Sequence, residues 1–63
     1  MTQADRLARL RHDLANPLSA VLAESELTLL QADSLPPEVV ASLEAIHAAA
    51  IRMRSVLRES SPD

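Results

Sequence analysis

Cysteine, glycine and every aromatic residue are absent from this 63-residue chain. Without Cys there can be no disulfide framework, a composition that fits a reducing compartment. Without Gly there is no glycine-rich loop to cradle the phosphates of a nucleotide. With 48% hydrophobic residues drawn only from Leu, Ala, Val, Ile and Met, regular helices are favoured over a turn-rich sheet fold, and the class is all-α. No apolar run approaches the ~20 residues that span a bilayer. Asp5, Arg6, Arg9 and Arg11 interrupt any apolar core that a signal peptide would need. The segment is therefore read as cytoplasmic, with no membrane contact of its own. Two isolated His residues and no Cys make a poor metal cage, so no metal site is expected.

The chain is also too short to bury much of its own surface, which leaves a single domain over residues 1–63 that is marginal alone. Disulfides and metals being excluded, self-association is the remaining aid to stability. A net charge of -3 argues against nucleic acid as a partner. All six basic residues are Arg near the ends, Arg6, Arg9 and Arg11, then Arg52, Arg54 and Arg58. A chain that folds back on itself would bring both clusters to one end, as a solvated face or paired with Asp5 and Glu59.

Punctuation is confined to Asp33-Ser34-Leu35-Pro36-Pro37, where proline cannot continue a preceding helix but suits the first turn of a new one. This predicts a helix over about 2–32, a turn over about 33–36 and a helix over about 37–59. In the first, Leu7, Leu10, Leu14, Leu18, Val21, Ser25, Thr28 and Leu29 recur at helical spacing. In the second, Val39, Leu43, Ile46, Ala50, Met53 and Leu57 alternate steps of four and three, an a/d heptad seam. Ser60, Ser61, Pro62 and Asp63 read as a frayed tail. Two long helices with a short connection prefer to lie antiparallel, and each apolar stripe is wider than one neighbour can cover. A homodimer of hairpins, a four-helix bundle, would cover both.

At about 100° per residue, Leu10, Leu14 and Val21 fall opposite His12, while Ala8, Asn16 and Ser19 fall on its own side. His12 is thus predicted to face solvent among small neighbours, accessible to an incoming phosphoryl group. An imidazole's ordinary pKa of about 6.5 leaves a nitrogen lone pair available near neutral pH. His47, beside Ile46 and followed by Ala48, is read instead as packing at the edge of the seam.

The run His12-Asp13-Leu14-Ala15-Asn16-Pro17-Leu18 resembles the phosphoacceptor box of bacterial two-component sensor histidine kinases: His, an acid, two variable residues, Asn or Thr, then Pro. The resemblance extends to the whole chain, because that family's dimerisation domain is a two-helix hairpin that forms a four-helix bundle with the box in its first helix. It implies that His12 is the phosphorylated nucleophile, attacking the γ-phosphate of ATP through Nε2. Asp13 would be its orienting base, holding the proton on Nδ1. Neighbours at i and i+1 do not face each other on a helix, so Asp13 must reach His12 by rotamer choice or local bending. Asn16, four residues on, would position water when the partner response regulator is dephosphorylated. Pro17 would bend the helix as a hinge.

The resemblance further implies a homodimer, a separate ATP-binding kinase domain that brings ATP and Mg, and a receiver domain whose aspartate takes the phosphoryl group onward. No cofactor is expected in this chain, which would be part of a protein-histidine kinase without being able to phosphorylate itself. It is read as a segment of a longer kinase, including the cytoplasmic part of a membrane-anchored sensor, or as a free-standing acceptor. Three other readings stay open: a non-catalytic helical dimerisation module in which the box is coincidental, a monomeric four-helix phosphotransfer protein of about twice this length, and a first helix split at Asn16-Pro17, with Asn as N-cap and Pro at the first helical position.

Overall fold

The computed structural model describes residues 1–59; the tail of four polar residues lies outside them. Two α-helices, α1 (Gln3–Leu29) and α2 (Pro37–Glu59), pack against each other along a hairpin and are joined by a short 3-10 turn at Ala32–Ser34. The molecule is a rod of 49 × 15 × 15 Å, two helices thick in one direction only. Among the described residues no helix is long and apolar enough to cross a membrane.

Helix α1 starts where it does because Thr2 and Asp5 form a capping box. The Asp5 amide donates to the Thr2 hydroxyl oxygen at 3.1 Å, and the Thr2 amide donates to Asp5 Oδ2 at 3.2 Å. Two of the otherwise orphan donors of the first turn are thereby satisfied. The helix then runs unbroken through Pro17 to Leu29, so it is not split at Asn16-Pro17. Pro17 has no N–H for the Asp13 carbonyl four residues back, and the cost is borne within a helix packed along its length. The helix ends three residues short of the span read from the sequence. The Leu30 amide still donates to the Glu26 carbonyl, but Gln31 donates to Thr28 and Ser34 to Gln31, the tighter i to i+3 pattern. Leu35 is extended, the conformation favoured for a residue before proline. Val39 and Val40 both donate to the Pro36 carbonyl to open α2.

The core is thin. Leu18 and Leu22 of α1 meet Ala50 of α2, with Ile51 and Leu57 packed beside them. Ala50, whose small side chain lets the helices approach, is the most buried of the described residues at 3% exposure. Ser25, buried on the same stripe, donates its hydroxyl to the Leu22 carbonyl at 3.0 Å, so no polar atom there is left unsatisfied.

The apparent single seam of α2 is divided by the structure. Leu43, Ala50 and Leu57 turn towards α1, whereas Val39, Ile46 and Met53 stay exposed. On α1 the same division leaves Leu7, Leu10, Leu14 and Val21 exposed. The reason is width: one neighbouring helix covers a strip of side chains, and both stripes are broader than that. Because the helices run antiparallel, their rotations of about 100° per residue carry both exposed stripes to the same face of the hairpin. His12 comes out on the opposite face.

Candidate functional site

His12 sits in the middle third of α1 with its side chain 76% exposed, and nothing packs over it. Its solvent position follows from the two faces already occupied. The inward side of α1 is taken by Leu18, Leu22 and Ser25, and the exposed apolar stripe lies on the far side. His12 belongs to neither.

Asp13 lies beside it without a hydrogen bond. The His12 Nδ1 lies 3.8 Å from Asp13 Oδ1, with both side chains in solvent. That separation is too long for a hydrogen bond, and a rotation of the Asp13 side chain would be needed to close it. In this arrangement the ring turns Nδ1, rather than Nε2, towards Asp13. Asn16 follows one turn later, exposed and offset by only about 40° from His12 around the helix. Pro17 lies on the apolar side of that turn and contributes no polar group.

A groove of about 610 Å3 runs along the hairpin beside His12. From α1 it is lined by Arg11, His12 and the small residues Ala8, Ala15 and Ser19, with Leu18 and Leu22 as its floor. From α2 it receives Arg54, Leu57 and Arg58. The meeting of the two Arg clusters at one end of the hairpin, expected from their positions in the chain, is realised here, and the meeting point is the surface next to His12. Asp5 is engaged in the α1 cap. Among the described residues no carboxylate pairs with Arg54 or Arg58.

His47 has a different environment. Its side chain is 23% exposed, and its Nε2 lies 3.1 Å from Oε1 of Glu26 across the hairpin. The imidazole is held between helices rather than offered to solvent. Two features went unread in the sequence: this cross-helix bond and the Thr2 and Asp5 cap. The cap had a local signal, Thr followed three residues later by an acid ahead of an apolar run. The bond had none, since residues 26 and 47 come together only through the hairpin. Among the described residues no group of three or more His, Asp or Glu side chains is arranged to hold a metal ion.

A family model, the His Kinase A (phospho-acceptor) domain, matches residues 2–60 of the chain. Comparison with curated proteins and with solved structures returns no match.

Proposed function

Because the chain belongs to the His Kinase A (phospho-acceptor) domain family, whose members are the homodimeric phospho-acceptor modules of histidine kinases, we propose that His12 is the side chain that takes the phosphoryl group. The observation that carries this choice is the contrast between the two histidines. His12 stands in solvent with its Nδ1 towards a carboxylate, while His47 has its Nε2 occupied by Glu26.

In this reading the proton sits on Nδ1, where the Asp13 carboxylate can accept it in a hydrogen bond once the side chain closes the last fraction of the gap. The lone pair then resides on Nε2. Nε2 attacks the terminal phosphorus of the donor, the N–P bond forms, and the P–O bond to the nucleoside diphosphate breaks with its electron pair on the leaving oxygen. Positive charge develops on the ring, and Asp13 is the group placed to stabilise it. ATP and its Mg belong to a separate kinase domain, whose docking against the exposed face of α1 is part of the proposal. A receiver-domain aspartate is the onward acceptor. Asn16, on the same face one turn along, has an amide suited to orient water when the phosphorylated regulator is hydrolysed. Pro17 supplies a weak point in the hydrogen-bond ladder of α1 at which the helix can flex. Use of ATP as donor would fit a cytoplasmic location.

Homodimerisation is supported by the shared apolar face. Leu7, Leu10, Leu14 and Val21 of α1 and Val39, Ile46 and Met53 of α2 are each at least two-fifths exposed in the single hairpin. A second copy laid against them completes a four-helix bundle and gains about 25 cal/mol for each Å2 of apolar area removed from water. His12, on the opposite side of α1, stays open in such a dimer.

The test mixes the chain with a histidine kinase ATP-binding domain and labelled ATP. Acid-labile, base-stable label that persists in His47→Gln and vanishes in His12→Gln is the expected result. Label that survives His12→Gln, or that never appears on a folded dimer while the kinase domain labels another acceptor, points instead to a purely structural dimerisation module.

A further inference from the structure

The phosphoacceptor box lies wholly on α1, yet the groove beside His12 is lined from α2 by two arginines, Arg54 and Arg58. They are four residues apart, hence on one side of α2 and one turn from each other. Both are exposed and neither is paired with a carboxylate among the described residues. Among the described residues no acidic side chain lines the groove, and Arg11 lines it from the α1 side. Ala8, Ala15 and Ser19, which also line the groove from α1, leave space beside the ring. A phosphoryl group on Nε2 carries up to two negative charges into this space. The planar guanidinium fork is the side-chain group best matched to phosphate oxygens.

We propose that Arg54 and Arg58 of α2 form the phosphoryl-binding site of this domain, hydrogen-bonding the oxygens of the group that His12 receives and carries. The proposal rests on His12 being the acceptor. It means that the second helix takes part in the chemistry as well as in assembly, and that relative movement of α1 and α2 sets how well the phosphoryl group is held.

Phosphoramidate tests this on the full chain without any kinase domain. Nε2 attacks phosphorus, the N–P bond to His12 forms, and the P–N bond of phosphoramidate breaks to release ammonia. Initial rates are followed by 31P NMR, with coupling to the imidazole protons identifying His12, while 1H–15N spectra follow the Arg Nε–H groups. In the wild type the Arg54 and Arg58 Nε–H resonances should shift on phosphorylation. The Arg54→Gln/Arg58→Gln double variant should be phosphorylated about 10-fold more slowly or worse, the loss appropriate to charge-assisted hydrogen bonds. The Arg54→Lys/Arg58→Lys variant should recover part of the rate, which a merely structural role would not predict. A double Gln variant of unchanged helicity that is phosphorylated at the wild-type rate, with unmoved Arg resonances in the wild type, overturns the phosphoryl site and leaves His12 as acceptor. Failure of the wild-type chain to be modified at His12 overturns both readings.

Discussion

His47 on α2 and Glu26 on α1 are joined across the hairpin, Nε2 to Oε1 at 3.1 Å. In the tautomer with its proton on Nε2, His47 donates and the carboxylate accepts. Helix α1 has no basic residue in its last turn, so this contact is also where the second helix meets negative charge near the C-terminal end of α1. The pair favours the observed register between the helices, because a shift by one residue would bring to this place a side chain about 100° away around the helix.

Removing Glu26 should therefore loosen the hairpin slightly without touching the phosphoacceptor. Glu26→Ala is expected to cost about 0.2–1 kcal/mol, the range for a largely exposed pair, measured as a shift in the urea midpoint at unchanged slope. His47→Ala should cost at least as much, and the double variant less than the sum of the singles. Additive losses in that cycle would show that the two side chains act independently.

The two halves of the α2 seam should fail differently. Ala50→Leu overfills the buried cluster between α1 and α2 and is expected to cost about 1–3 kcal/mol. Leu22→Ala leaves a cavity in the same cluster at about 2–5 kcal/mol. Ile46, by contrast, is 50% exposed in the single hairpin, so Ile46→Asp should act on the contact between copies. Sedimentation equilibrium should show the Ile46→Asp dimer constant falling far more than that of Ala50→Leu. A persistent, folded Ile46→Asp dimer would remove the shared apolar face as the interface.

The role proposed for Asp13 is to hold the His12 tautomer, and its exposed side chain has little part in packing. Asp13→Asn should keep the dimer and its helicity while slowing transfer to His12 by on the order of 100-fold, within the range of general acid-base contributions. Single-turnover phosphorylation by an added kinase domain reads this out. A variant as fast as the wild type would make Asp13 a bystander.

Asn16 shares the outward face but does not touch the imidazole's proton. Its replacement by Ala should leave His12 phosphorylation within about 2-fold, since an exposed helical site contributes little to folding. Hydrolysis of the phosphorylated receiver should slow markedly. The two activities are measured separately in a kinase that contains this segment; equal loss of both would assign Asn16 to helix integrity.

Local chemistry was enough to determine much of this protein. Proline at 36 and 37 marks the turn and begins α2, the apolar periods identify two amphipathic stripes, and the His12 to Pro17 box carries the family resemblance, because each depends on neighbours within one or two turns. Where α1 stops was less legible: residues 30–34 have no glycine to mark a C-cap, and the helix tightens into a 3-10 turn through its own hydrogen bonds. What the tertiary structure alone decided is which apolar residues face inward, where His47 finds its partner, and which basic groups stand beside His12. Leu43 and Ile46 look equivalent in the sequence, yet they part because one antiparallel neighbour covers only one side of α2. Arg54 lies 42 positions from His12 in the chain and shares a groove with it because the hairpin folds α2 back along α1, a relation set by packing and by no local rule.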